Sequence, residues 1–322
     1  MSQTIVSQFI LIIGLLAVGY VCRKLDVIDE NAGKYLSKIL LCLTIPATAI
    51  EAAIGKPLEN LANVLVFLGI ASALFVVVPL IGKLLCKIIK WSEVYRLMLT
   101  FGNTGFVGIP VSAAVWGQES VFYVTLFMMT FNIAFFTWGV ATMKRISGYN
   151  ANAEALGRPK PSFKQRVAKT WRDLLNPGII SALLALLIFL FQIPIQEDLA
   201  RLISTVASIN TPLAMIVIGA SLASVPIKDI FNDKYVYLFA AIKLMALPAL
   251  VLAVLAFCPI DPLLVGIFVV LECMPVAGNL SMIAIQYHGD INLVSKATAL
   301  TTLFFIPSVL FWSYIVRLVV AI

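Results

Sequence analysis

Asn103 stands in the run Thr100-Phe101-Gly102-Asn103-Thr104-Gly105-Phe106-Val107-Gly108-Ile109-Pro110, inside an apolar stretch long enough to cross a membrane. Glycine loosens a helix, and proline cannot donate the backbone bond that would continue it. In lipid, each freed backbone group costs several kcal/mol unless protein or a watery cavity satisfies it. A helix broken here presents N–H groups at a half-helix N-terminus, where roughly half a positive charge favours an anion. The Asn103 amide can both donate and accept, so it suits holding a guest and orienting the backbone. Thr104, Gly105 and Pro110 complete this candidate site. A second such group, Glu272-Cys273-Met274-Pro275-Val276-Ala277-Gly278-Asn279, again sets Pro, Gly and Asn side by side. Pro275, Ala277, Gly278 and Asn279 are its candidate binding residues. Two such ends converging near the bilayer middle could hold a carboxylate without a fixed cation, so the chemistry is binding. Small residues also let helices approach closely, a reading that fits Gly105 and Gly108 nearly as well.

Lys243 and Glu272 are the sharpest electrostatic feature. At about 1.5 Å of rise per residue, Lys243 lies about 12 Å and Glu272 about 15 Å into their helices. The hydrocarbon core is about 30 Å thick, so both approach its middle. Ionisable groups there face a partner or a cavity. They could form a structural ion pair or exchange protons during transport, and Lys243 could instead support the broken helix or touch an anion. Pro46 and Pro212 should bend their helices around the crossing, with Asn210 and Thr211 lining it or satisfying backbone. His288, the single histidine, sits beside Gly289-Asp290 and is expected in a solvated loop. Glu51 should be interfacial, and Asn132 should hydrogen-bond between helices.

The positioning elements follow from composition. The 322 residues are 61% hydrophobic and 12% charged, with net charge +7 and mean hydropathy +1.02. A soluble domain carries about twice that charge, so a polytopic membrane protein is expected. Apolar runs near 5–22, 35–54, 61–85, 95–116, 120–142, 177–194, 199–223, 234–257, 262–287 and 293–318 make ten spans. The Lys and Arg residues flank the loops after spans 1, 3, 5, 7 and 9, where 19 of the 23 lie. The positive-inside rule then puts the basic 144–176 loop in the cytoplasm and both termini outside, and it accounts for the net charge without nucleic acid. Residues 1–9 hold no Lys or Arg, so the first run reads as an uncleaved span, not a signal peptide. Cys22, Cys42, Cys86, Cys258 and Cys273 show no metal or redox spacing and read as small buried hydrophobes.

Residues 1–143 and 177–322 each hold five spans around the linker 144–176. Leu43-Thr44-Ile45-Pro46 in span 2 matches Ile209-Asn210-Thr211-Pro212 in span 7, and the interruptions of spans 4 and 9 correspond. An odd number of spans per half makes such repeats inverted. The expected fold class is therefore an all-α polytopic membrane protein of two inverted five-helix repeats, with broken crossover helices.

Gly102-Asn103-Thr104-Gly105-Phe106-x-Gly108-x-Pro110, Met274-Pro275-x-Ala277, Lys243-Leu244 ahead of Pro248, and Pro46 together resemble the auxin efflux carrier family of permeases, over nearly the whole chain. That resemblance implies a ten-span secondary transporter whose spans 4 and 9 cross near the midplane. It also implies an organic-anion substrate such as malate or malonate, because the short central loop is like the bacterial branch. The expected function is a plasma-membrane permease for a small mono- or dicarboxylate, working by alternating access with no cofactor or metal. Membrane lipid surrounds it; proton coupling and a homodimer stay open. A cation/proton antiporter or sodium-coupled symporter is the alternative, but it wants deep acidic residues and only Glu272 is deep. An intramembrane protease would need paired Asp, a Ser–His pair or a His-rich zinc site, none of which appears. No Gly-Lys-Ser/Thr phosphate loop suggests ATP drive.

Overall fold

The computed structural model describes residues 3–58, 61–149, 175–223 and 233–320, so most of the basic linker lies outside the described residues. Regular structure among them is helical: α1 (Gln3–Lys24), α2 (Glu30–Ile39), α3 (Ile45–Glu51), α4 (Leu61–Ile89) and α5 (Glu93–Thr100) come first. Then follow α6 (Thr104–Trp116), α7 (Glu119–Ile146), α8 (Pro177–Phe191), α9 (Glu197–Ala223) and α10 (Lys234–Leu255). The chain ends with α11 (Pro262–Glu272), α12 (Gly278–Gln286) and α13 (Ile291–Val320). Six of these, α1, α4, α7, α9, α10 and α13, are long and apolar enough to cross a membrane; α6, α8 and α11 are shorter apolar helices.

The helices pack as two groups. One joins α1, α2, α3, α8 and α9, and the other joins α4 to α7 with α10 to α13. Each group draws on both halves of the chain. The first is welded by backbone contact: a Cβ on Gly19 would stand 2.1 Å from the Ile216 carbonyl oxygen, and one on Gly219 would stand 2.0 Å from that of Leu16. Only glycine allows α1 and α9 to lie this close. Aromatic rings fill the second group. Phe67 stacks on Phe268 at 4.3 Å and meets Tyr123 at 5.2 Å. Contact between the groups runs through α8 on α7 and through α1 and α9 on α6.

Four helical turns are widened to the π form, at Leu40–Thr44, Thr104–Gly108, Phe135–Gly139 and Ile242–Ala246. Three of them run directly into a proline within the next two residues: Pro46, Pro110 and Pro248. Proline lacks the N–H that would close on the carbonyl four residues back, so that carbonyl is freed. For Pro248 the freed group is the Leu244 carbonyl. It accepts instead from the Trp312 indole nitrogen, at 3.0 Å, and from the Ser308 hydroxyl, both on α13.

The cysteines depart from the expectation. Cys86 and Cys273 are buried, but Cys22 is half-buried and Cys42 and Cys258 are exposed, all five being free thiols. Exposure costs a small, weakly polar thiol little, so these positions need no core around them. The Asn132 amide donates to Met128 O, 2.8 Å away in its own helix. A carbonyl one turn back is always within reach, and the side chain takes it. Glu51 ends α3 half-buried. His288 is exposed in a left-handed turn, φ 56°, against the ring of Tyr149.

Candidate functional site

The two helix breaks meet. α5 ends at Thr100, whose hydroxyl folds back onto Arg96 O, and Phe101 leaves the helix in extended conformation. Phe101 is fully buried among Phe75, Phe131, Phe135 and Trp138, with ring centroids 5.1–6.1 Å away. That cage fixes where the break occurs. Gly102 then pairs antiparallel with Val276, the sole β-bridge among the described residues. The Asn103 amide donates to Pro275 O at 2.7 Å, and the Ala277 amide donates to Phe101 O at 3.0 Å. Four backbone groups freed by two helix breaks thus satisfy one another. A Cβ on Gly102 would lie 3.2 Å from Met274 Cβ, so the close approach suits glycine. The Val276 amide donates to the Thr301 hydroxyl at 3.1 Å, tying the crossing to α13.

Past the crossing, Asn103 caps α6: its side-chain oxygen accepts the Phe106 amide at 3.2 Å, and its carbonyl accepts Val107 and Gly108. Asn279 lies in the first turn of α12. Among the described residues no hydrogen bond closes on the backbone amides of Gly105, Gly278 or Asn279. Gly278 is exposed and Asn103, Gly105 and Asn279 are half-buried, whereas Thr104, Gly108, Pro110, Pro275 and Ala277 are buried. The open amides of Gly105, Gly278 and Asn279 sit at two half-helix N-termini, the polarity that attracts an anion.

The opposite, carbonyl ends of α5 and α11 meet Lys243. This side chain is 1% exposed; its Nζ donates to Leu99 O at 2.9 Å and lies 3.7 Å from Glu272 Oε2. One cation thus serves the C-terminal ends of both broken helices, where partial negative charge accumulates. Glu272 is 5% exposed. The structure therefore makes Lys243 at once an ion-pair partner and a prop for the break, two of the roles its depth allowed.

The remaining candidates lie elsewhere. Asn210 is buried; its side-chain oxygen accepts from the Thr44 hydroxyl at 3.0 Å, while its side-chain nitrogen is without a partner. Pro46 is half-buried at the start of α3, and Pro212 is exposed within α9. Thr211 and Pro110 line a cavity of about 540 Å³ together with Arg317. Sequence reasoning missed Thr301, Ser308, Trp312 and Arg317. The first three are ordinary residues of an apolar span, but Arg317 is one of two cations in the last span, with Lys296, and could have been singled out.

Interrupted helices that meet inside a helical bundle are the architecture in which membrane transporters build their substrate sites. Residues 4–313 match the membrane transport protein family, the grouping of the auxin efflux carriers, and the chain belongs to it. It is 26% identical to a Rhizobium meliloti protein provisionally named a malonate transporter, over 94% of this chain and 93% of that one. It is 23% identical to an uncharacterized transporter of Methanocaldococcus jannaschii, covering 95% and 97% of the two chains. A third relative, an uncharacterized transporter of Methanothermobacter thermautotrophicus, is 21% identical over 98% of each.

Proposed function

We propose that the chain is a secondary active transporter of a small organic anion, a mono- or dicarboxylate, held at the crossing and carried by alternating access. The observation that carries this is the polarity of the crossing. The amides of Gly105, Gly278 and Asn279 close no hydrogen bond among the described residues, while Lys243 occupies the carbonyl side. An anion meets donors there without meeting an exposed carboxylate. The name of the Rhizobium meliloti relative points to the same substrate class. Thr104, Pro110, Pro275 and Ala277 shape the walls, and Pro46 and Pro212 bend the flanking helices. The reading includes ten spans in two inverted repeats, 1–143 and 177–322, with a cytoplasmic linker, outward termini and a plasma-membrane location. The corresponding places of the α5–α6 and α11–α12 breaks support it. A cation/proton antiporter or sodium-coupled symporter is disfavoured because Glu272 already faces Lys243, leaving no free deep carboxylate among the described residues. Catalysis plays no part in this reading.

The test is uptake and counterflow in proteoliposomes with malonate, malate, lactate and indole-3-acetate, with and without a pH gradient. Saturable flux of at least one carboxylate is expected. Absence of saturable flux for all four would sink the proposal.

A further inference from the structure

We propose that the cavity beside Arg317 is a second binding site for a small carboxylate, a recruiting vestibule ahead of the crossing. The inference rests on the anion-transport reading above. The cavity, about 540 Å³, is lined by Gln8 and Ile12 of α1, Thr211 of α9, Pro110 of α6, Gln118 just beyond it and Arg317 of α13. It lies on the seam between the two helix groups. Its wall runs along α6 from Val115 down to Pro110, about 7.5 Å of helix at 1.5 Å per residue. From Pro110 it is six residues to Thr104, where the crossing begins. The cavity is thus a corridor toward the first site and not a part of it.

Its chemistry is that of an anion receptor. Arg317 is the one charged residue in the lining, and no carboxylate shares the space. The guanidinium packs over the Trp116 ring, 4.9 Å from its centroid, and donates through Nη2 to Val115 O at 2.9 Å. Among the described residues its Nε has no acceptor, nor has the Trp116 indole nitrogen beneath it, both atoms being enclosed by the protein. A planar guanidinium carries five N–H donors in a fork that matches a carboxylate, and the protein engages few of them. Gln8, Gln118 and Thr211 add neutral polar groups. An Arg held by stacking and one backbone bond, with spare donors and no counter-ion among the described residues, can receive an anion and release it.

Trp116 supplies the readout. Malonate is titrated into the purified full chain in detergent and tryptophan fluorescence is followed, with W116F as the blank and choline chloride as the ionic-strength control. A saturable change that depends on Trp116 is expected with malonate, weaker with acetate and absent with choline chloride. R317Q should weaken the apparent affinity about tenfold or more, the effect of losing a charge-assisted bond, and R317K should fall between. Q8E, which sets a carboxylate in the cavity and leaves Arg317 untouched, should weaken it as well and covers the case in which R317Q fails to fold. In proteoliposomes R317Q should raise KM and leave kcat near that of the parent. A change in fluorescence that survives W116F, or malonate binding equal in R317Q, Q8E and parent, would assign Arg317 to structure alone and overturn the proposal. A Trp116 signal without carboxylate flux would overturn the transport reading and leave the site standing. Flux with an unchanged KM in R317Q would do the reverse.

Discussion

Removing either member of the Lys243–Glu272 pair should cost far more than half of what removing both costs. At 3.7 Å two unit charges attract by about 4–5 kcal/mol at an effective dielectric of about 20. Desolvation has already consumed much of that gain, so the pair adds little net stability compared with an apolar replacement. Breaking it is different, because one buried charge is left alone at a cost of about 3–5 kcal/mol. Lys243→Met leaves Glu272 uncompensated and also strips the Leu99 carbonyl of its donor, worth a further 1–3 kcal/mol or so. Glu272→Gln leaves the Leu99 bond in place and should fall near the lower end, about 3 kcal/mol. The double variant leaves no lone charge and loses mainly the Leu99 bond. Its loss should be about 1–3 kcal/mol, smaller than the sum of the singles by about 6 kcal/mol, because the double variant escapes both lone-charge penalties. Thermal unfolding in detergent reads this directly: at about 2 °C per kcal/mol for a chain of this size, each single falls by about 6 °C or more and the double by less than the sum. Additive shifts, or a Glu272→Gln variant as stable as the parent, would refute the reasoning. Exchanging the two residues should not restore stability, since a carboxylate would then face the Leu99 carbonyl; full recovery would show that the carbonyl does not matter.

Asn103→Ala removes the cap on the Phe106 amide and should cost about 1 kcal/mol of stability while nearly abolishing carboxylate flux; normal flux would remove the crossing from the transport path. Gly19→Ala would drive a methyl into the Ile216 carbonyl and should abolish folded yield, whereas Gly14→Ala, with open space around it, should fold normally; equal yields by size-exclusion chromatography would refute the α1–α9 weld. Lys56 lies in the loop between α3 and α4, donates to Glu119 O and sits over the Phe122 and Tyr123 rings. Burial pushes its ammonium below the usual 10.5, with Glu119 opposing in part. The unfolded chain then holds that proton to higher pH than the folded one, so this residue's contribution rises with pH across the window ending near 10.5. Lys56→Met should flatten the slope of thermal stability against alkaline pH; an unchanged slope would exclude Lys56 as its source.

The crossing was legible because its residues are chemically out of place. Gly102, Asn103, Pro275 and Asn279 oppose a continuous helix in lipid, so their positions announce a break. Lys243 and Glu272 were legible for the same reason, as charges with no business in hydrocarbon. What the residues could not tell was which freed group meets which. That the Asn103 amide closes on Pro275 O, or that Lys243 props Leu99 as well as facing Glu272, depends on how two distant helices are set in space. Thr301 and Ser308 stayed hidden because a hydroxyl inside an apolar helix usually bonds its own preceding turn, as Thr298 does here. Only the packing of α13 shows which hydroxyls are spent on a neighbour. The cysteines went astray for a related reason: small and weakly polar residues do not declare whether they will be covered by the protein.

The pairing of Lys243 with Glu272 also sets how the crossing would respond to an electric field. As an ion pair it carries no net charge, so moving the empty crossing through a membrane potential would do no electrical work on those two residues. An unpaired charge carried across would exchange about 2.3 kcal/mol per 100 mV. Under the transport reading the guest would bring the only charge in transit, and a carboxylate would make the loaded step electrogenic while the empty return stayed silent. A potassium-diffusion potential applied to proteoliposomes should then alter net malonate flux and leave the return of the empty carrier untouched. The carrier would be a neutral vessel, charged only by its cargo.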